Sequence, residues 1–261
     1  MNMIGDVNCA SLVLDIILKS SLSPALCLHA YRVVPVMQAH NLGVPIILRN
    51  HEVKATTTPD ITIMDAILST CASPALFAAV NVEEGLWDHS YISADQGLSN
   101  PTREVIKAAY EAFGEEEHVA CLLSLGTGHL GVIRMTNGAG PEGSTEAMEE
   151  KDAALNEVSR RIAEDPELVA RQMDEAIGDT GLYFRFSVDQ GMQVSRKAAE
   201  RRASMRHMGS GEGSLGVIMA DTLTYLGQPK IAKDVDHCAD TLFRRIGLET
   251  LKALRKSVAL I

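Results

Sequence analysis

The amino-acid sequence predicts an α/β protein in which a sheet is sandwiched between two layers of helices, a three-layer α/β/α arrangement. Segments with the period of a helix alternate along the chain with short apolar segments of strand length, which is typical of α/β folds. One of these segments, Val119 to Leu125, is apolar almost throughout, as expected for a strand covered on both faces. The chain has 261 residues, 46% of them hydrophobic, which is enough to bury one sizeable core. We therefore predict a single domain over residues 1–261, with an α/β part at 1–136 and a mainly helical part at 137–261.

The first part of the chain contains two segments that we predict to be strands. They are Ala25 to Tyr31 and Pro45 to Asn50, the second preceded by the turn signal Asn41-Leu42-Gly43. The apolar residues between Met1 and Ser23 fit a helix or a strand equally well, because a short apolar run matches either period. A helix is predicted from Ile61, with Asp60 as its N-cap and Pro74 just beyond its end.

Further helices are indicated by their caps. Asn100-Pro101 begins a helix that Gly114 ends, with an inward stripe of Val105, Ala108, Ala109 and Phe113. The remaining predicted elements are a charged helix at Thr145–Ala163, a helix from Asp165-Pro166 to Gly178, a half-buried strand at Leu182–Val188, and helices at Ser214–Leu226 and Ile231–Ile246.

Four short motifs between Ile61 and Gly128 carry a family resemblance. An Ala-containing helix ends in Cys71-Ala72-Ser73-Pro74, and it is followed by Asp95-Gln96-Gly97, by Asn100-Pro101 and by Ser124-Leu125-Gly126-Thr127-Gly128. In this order and composition the chain resembles the patatin-like phospholipases, whose helix ends in Ser-Ala-Ala-Pro and whose aspartate motif is Asp-Gly-Gly or Asp-Gly-Ala. The resemblance extends loosely from Cys27 to Ile246, and it implies a patatin-like α/β/α fold.

The resemblance also implies a function and a site. Patatin-like enzymes hydrolyse the acyl esters of lipids with a serine nucleophile and an aspartate base. Asp95 matches the dyad aspartate, with Gln96, Gly97 and Asn100 as motif positions; Gln96 departs from the family, which has glycine there. Without the flanking motifs, a turn aspartate is the better interpretation of Asp-x-Gly. We therefore expect a lipid or phospholipid as the substrate and Asp95 as the catalytic residue.

The other half of the dyad is missing from the sequence. No Gly-x-Ser-x-Gly nucleophile motif occurs in the 261 residues, and no glycine-rich oxyanion loop precedes Pro45. Three explanations stay open: an incomplete chain, a non-catalytic relative, or a different serine recruited in space. The alternative to a hydrolase is a non-catalytic patatin-like module that binds lipid or a protein.

Composition excludes several other functions. A formal charge of −10 disfavours nucleic acid, because phosphate binding requires clustered basic residues. The longest apolar N-terminal segment, Ala10 to Leu28, is interrupted by Asp15 and Lys19, so we expect no transmembrane helix and no secretory signal, and a cytoplasmic protein with peripheral contact with membranes at most. The basic cluster Arg196–Arg206 is either a lipid-contacting surface or, more commonly for such a run, a solvated helix face.

No cofactor or metal site is expected. The five cysteines are widely spaced and the histidines lack the spacing of metal ligands. Two segments match Gly-x-Gly-x-x-Gly, and neither fits a dinucleotide site. Gly126–Gly131 follows a predicted strand but leaves no room for the long helix, and Gly211–Gly216 follows no buried strand. Trp87 and Phe77 are either core residues or part of an acyl-chain wall.

Overall fold

The fold is an α/β structure, and the residues described below form two small sheets of four strands each. The computed structural model describes residues 16–18, 33–51, 53, 59, 61–73, 77–84, 87–95, 97–126, 165–188, 212–246 and 248–259, together with helical positions 152, 155, 156, 158, 159 and 162. The predicted strand Ala25–Tyr31 lies outside these residues, and so do the basic cluster, most of the first glycine motif and the side chain of Trp87. The second glycine motif lies at the start of the helix Glu212–Leu226, except for Gly211, which is outside the described residues.

The first sheet is antiparallel throughout. Its strands are β2 (Val33–Gln38), β3 (Asn41–Arg49), β4 (Val80–Glu84) and β5 (Trp87–Ser93), in the spatial order β3-β2-β5-β4. Val36, Leu48 and Tyr91 form its buried centre. Asp95 follows the end of β5, so this sheet positions the predicted catalytic residue.

The predicted strand at Pro45–Asn50 is confirmed, but the turn before it was misplaced. Strand β3 begins at Asn41, and the β2–β3 turn is at residues 39–40. The pairing shifts from Met37 opposite Pro45 to Gln38 opposite Asn41, so the residues between form a bulge. Gly43 has φ of +88° in this bulge. The glycine thus marks an irregularity inside the strand and not the turn itself.

Helix α1 (Ile63–Cys71) exists where a helix was predicted, but its predicted N-cap was wrong. Thr62, not Asp60, is the N-cap, because its hydroxyl accepts a hydrogen bond from the Asp65 N–H at 3.1 Å. The buried residues of the helix are Ser69 and Thr70, whereas Ile63 and Ile67 face outward.

The second sheet contains the only parallel strand pair among the described residues. Strand β6 (His118–Leu125) pairs with β7 (Tyr183–Phe186) in parallel and with β1 (Ile16–Leu18) and β8 (Glu249–Thr250) antiparallel. The ambiguous N-terminal run therefore contains a short strand. The predicted strand Val119–Leu125 is confirmed and is buried along most of its length.

Helices cover both faces of the β6–β7 pair. Helices α2 (Thr102–Phe113), α3 (Pro166–Ile177) and α6 (Leu251–Val258) share one apolar core with it, which includes Leu122, Met173 and Leu254. On the other side, Cys121 and Phe184 pack with Cys238 of α5 (Pro229–Arg244), which follows α4 (Glu212–Leu226). Strand β7 is therefore buried on both faces, and the prediction of a half-buried strand was wrong.

The ends of α2 and α3 lie close to their predicted positions, although Pro101 is the N-cap of α2 and not its first helical residue. Gly114 ends α2, and the side chain of Asp165 caps α3, which Gly178 ends. Helix α5 ends at Arg244, and so Ile246, the predicted last residue of this helix, lies beyond it. None of the helices in the described part of the chain combines the length and the apolar character that crossing a bilayer requires.

Candidate functional site

Asp95 lies in a tight turn directly after strand β5. Its N–H donates to the Ser93 hydroxyl at 3.2 Å, and the Ser99 hydroxyl donates to its backbone carbonyl. The Leu98 N–H donates to the Ala94 carbonyl at 3.0 Å, which closes the turn. Hydrogen bonds to the backbone of Ala94 and Asp95 therefore fix both ends of the turn. The side chain of Asp95 takes no part in these bonds.

The Asp95 carboxylate has an oxygen that is buried without a partner. Oδ1 is shielded from solvent and makes no hydrogen bond. No hydroxyl group in the residues that the structure describes donates to this carboxylate. Buried carboxylate oxygens are normally satisfied, so an exception at a predicted catalytic position indicates that a donor group belongs beside it.

Gly97 is required by the backbone of this turn. Its φ is +107°, a conformation that residues with a Cβ atom rarely adopt. A Cβ atom built there would meet only the Cε of Met37 at 3.8 Å, so the requirement is conformational and not steric. Gln96 lies outside the described residues. The Asp-x-Gly motif therefore does form a turn, as the simpler interpretation of the sequence held.

Asn100 is a buried clamp between two helices. Its Oδ1 accepts hydrogen bonds from the Thr102 N–H at 3.3 Å and from the Thr102 hydroxyl at 2.6 Å, at the start of α2. Its Nδ2 donates to the Pro166 carbonyl at 3.0 Å, at the start of α3. Asn100 thus positions the chain that leaves the Asp95 turn. This structural role accounts for the asparagine even if its side chain takes no part in a reaction.

A polar network that the sequence did not predict lies beside Asn100. Arg185 of β7 donates from Nη1 to the Ser124 hydroxyl at 3.0 Å and from Nη2 to Glu167 Oε1 at 2.8 Å. The Ser124 and Thr102 hydroxyl oxygens are 3.3 Å apart, which connects the network to Asn100. A signal existed in the sequence, since Arg185 is a lone cation in an otherwise apolar strand and Ser124 begins the Ser-Leu-Gly motif.

Gly126 provides the space for this network. A Cβ atom at Gly126 would lie 2.5 Å from Arg185 Nη2 and 2.6 Å from the Ser187 hydroxyl, so no larger residue fits without displacing them. This gives a packing reason for the first glycine of the Gly-Thr-Gly motif, independent of any ligand.

The network is incompletely paired. Arg185 Nε and Ser187 Oγ are buried without hydrogen-bond partners. The Tyr183 hydroxyl lies close to Ser124 and Asn100 without a well-formed hydrogen bond to either. Burial raises the pKa of the Tyr183 hydroxyl, while the positive charge of Arg185 partly offsets this. Arg185 and Ser187 lie at the carboxyl ends of the parallel strands β6 and β7, the edge at which α/β proteins place their ligands, whereas Tyr183 begins β7.

Phe77, the cysteines and the potential metal ligands are the other residues that the sequence singled out. Phe77 is about half exposed, so it is no core residue. Cys121 and Cys238 are buried as expected, and burial, with the neighbouring Cys238, raises the pKa of the Cys121 thiol to about 12. Over the described ranges, no three His, Cys, Asp or Glu side chains are grouped so that they could hold a metal ion.

Comparison with known proteins gave no match to a protein-family model, to a curated protein or to a solved structure. The resemblance to patatin-like enzymes therefore depends on the sequence motifs alone.

Proposed function

We propose that this protein belongs to the patatin-like lipid acyl hydrolases, with Asp95 as the base of a serine–aspartate dyad and with a three-layer α/β/α sandwich as its fold. The observation that carries the proposal is the buried, unpaired Oδ1 of Asp95 in a turn that requires Gly97. The helices on both faces of the β6–β7 pair support the layered fold.

The reaction assigns Asp95 one task. A serine hydroxyl attacks the carbonyl carbon of the lipid ester while its proton passes to the Asp95 carboxylate. The ester C–O bond then breaks, the alcohol leaves with that proton, and an acyl-serine remains. Water attacks the acyl-serine with the same carboxylate as base, which releases the fatty acid and restores the serine.

The serine and the oxyanion donors belong, in this proposal, to parts of the protein outside the described residues. Asn100, Thr102 and Ser124 have a positioning role, because they fix the start of α2 and with it the end of the Asp95 turn. The carboxylate keeps one oxygen free of them, and so it remains available to a hydroxyl donor.

Hydrolysis of a p-nitrophenyl fatty-acyl ester tests the proposal. We expect release of p-nitrophenol by the wild-type protein and a loss of at least about 100-fold in kcat/KM for Asp95→Asn, since a positioned general base contributes roughly 10² to 10⁴. Asp88→Asn is the matched control, because Asp88 is an exposed carboxylate on the same strand, β5. Absent hydrolysis, or equal rates in all three proteins, would refute the proposal.

A second candidate is a non-catalytic module of the same fold that binds lipid. It is favoured by the absence of a hydroxyl donor to the Asp95 carboxylate among the described residues. This candidate predicts lipid binding without hydrolysis, and binding that Asp95→Asn does not change.

A further inference from the structure

Helix α1 presents its four large apolar residues to solvent, while its fully buried residues are polar. Ile63, Met64, Ile67 and Leu68 are 75%, 63%, 53% and 48% exposed, while Ser69 and Thr70 are buried. Residues at these spacings share one side of a helix. Folding normally gives the opposite arrangement, since burying an apolar side chain is favourable. A contiguous exposed apolar surface of this kind indicates an interaction site.

This apolar surface, defined as Ile63, Met64, Ile67, Leu68 and the nearby Phe77, is attached to the candidate site. Phe77 is 48% exposed, and its N–H donates to the Ser73 carbonyl just beyond α1. The Ser93 N–H donates to the Ala72 carbonyl at 3.1 Å, which ties the end of α1 to the end of β5. Asp95 lies two residues beyond Ser93, and so the surface and the predicted base belong to one structural unit.

The size of the surface argues against a protein as its occupant. Five side chains, four of them on one convex helix, are far fewer than the roughly 20 to 30 residues a side of a stable protein interface. The net charge of −10 further opposes self-association. A bilayer requires no complementary shape, and a helix can lie in its interface with only its apolar face inserted.

The charges of the surface select the type of bilayer. Helix α1 contains no Lys or Arg, and its one charged residue is Asp65. Anionic head groups attract helices that carry basic residues, and these are absent here. An apolar surface without cations fits a neutral, zwitterionic lipid surface.

We propose that the exposed face of α1, with Phe77, docks the protein on zwitterionic lipid surfaces next to Asp95. The inference that the occupant is a lipid rests on the proposed function. It adds that the lipid substrate would be presented to Asp95 at the surface of a bilayer. Binding is reversible and weak, because five partly inserted side chains bury little apolar area.

Co-sedimentation with phosphatidylcholine vesicles tests the inference. We expect the wild-type protein to bind and the double variant Ile63→Gln/Ile67→Gln to bind at least about tenfold more weakly, because each isoleucine contributes its transfer into the acyl region. Glutamine is a better helix former than isoleucine, so α1 itself is preserved. Phe243→Gln is the control, since Phe243 is 88% exposed at the end of α5, on another element, and we expect it to bind as the wild-type protein does.

Three outcomes would overturn the inference. They are an absence of binding to phosphatidylcholine, equal binding by the double variant, and a requirement for anionic lipid. A dimer in sedimentation velocity that the double variant abolishes would instead assign the surface to a second copy of the chain. Vesicle binding does not depend on Asp95, so Asp95→Asn separates the two proposals: it should abolish hydrolysis and leave binding intact.

Discussion

Arg185 Nη2 donates to Glu167 Oε1 at 2.8 Å, and this ion pair joins the parallel strand β7 to the first turn of α3. Arg185 also donates to Ser124 of β6, so a single guanidinium connects two strands and a helix. Both partners are largely shielded from water, which strengthens the pair and makes the loss of either partner costly. The network fixes the positions of Ser124 and Arg185 in the second sheet. It is connected to Asn100 through the hydroxyl groups of Ser124 and Thr102.

Arg185→Met should destabilise the protein by about 2 kcal/mol, because Glu167 and Ser124 would lose their donor in a partly buried place. The matched control is Arg244→Met, whose ion pair with Asp240 lies on the surface of α5. We expect this control to cost less than about 0.5 kcal/mol. Urea denaturation of both variants measures the difference, and equal midpoints would show that the Arg185 network does not stabilise the fold.

Asn100→Asp should also be destabilising, by about 1 to 3 kcal/mol. The substitution replaces the Nδ2 donor with an oxygen opposite the Pro166 carbonyl and buries a charge. Asn81→Asp provides the comparison, because Asn81 Oδ1 only accepts from Ser90 on an exposed strand surface. A loss of stability at Asn81 as large as that at Asn100 would contradict the clamp.

Gly97→Ala should cost about 1 to 2 kcal/mol, since alanine is strained at φ of +107° although it has room. Gly216→Ala, within α4, should instead stabilise the protein by up to about 1 kcal/mol, because nothing lies within 4 Å of the added methyl group and alanine favours helix. Thermal unfolding of the two variants tests the contrast in sign. A stabilised Gly97→Ala would show that the turn does not need glycine.

The buried Cys121 thiol makes the free energy of unfolding decrease at alkaline pH. Its pKa is raised to about 12 in the folded protein from 9.0, so the unfolded chain releases this proton first. The stabilisation that comes from the neutral, buried thiol is complete below about pH 9. It is lost as the pH rises toward 12, and the free energy of unfolding then falls by up to about 1.4 kcal/mol per pH unit. Cys121→Ala should reduce the slope of unfolding free energy against pH above about pH 9, whatever its effect on stability at neutral pH. An unchanged slope would contradict the burial of this thiol.

The sequence predicted the elements whose ends carry strong caps and whose faces are uniform. Helices α2 and α3 are bounded by Pro101, Gly114, Pro166 and Gly178, and β6 is a continuous apolar run. In each of these the local preference and the tertiary environment agree, so the pattern alone identified them.

The elements that the sequence missed depend on partners distant in the chain. Strand β4 contains charged residues and few apolar ones because it lies at the edge of its sheet, and β5, which pairs with it, contains mainly polar residues before Tyr91. Strand β8 has two residues and exists only through its pairing with β6. The outward position of Ile63 and Ile67 on α1 was not predicted, because apolar residues at helical spacing usually face the core.

The candidate site was predicted in part. Asp95, Gly97 and Asn100 were identified from motifs, and the structure gives physical reasons for Gly97 and Asn100. The Arg185–Glu167–Ser124 network was not predicted, because its members are up to 61 residues apart in sequence and no local pattern joins them. Such side chains are brought together only by the parallel pairing of β6 and β7.

Labelling with a fluorophosphonate, followed by peptide mapping, is the most direct test of Asp95 as the base of a dyad. This reagent reacts with activated serines, and we expect one labelled serine in the wild-type protein and in Asp88→Asn, with labelling lost in Asp95→Asn. Absence of any labelled serine, or labelling that persists in Asp95→Asn, would contradict the assignment of Asp95 as a catalytic base.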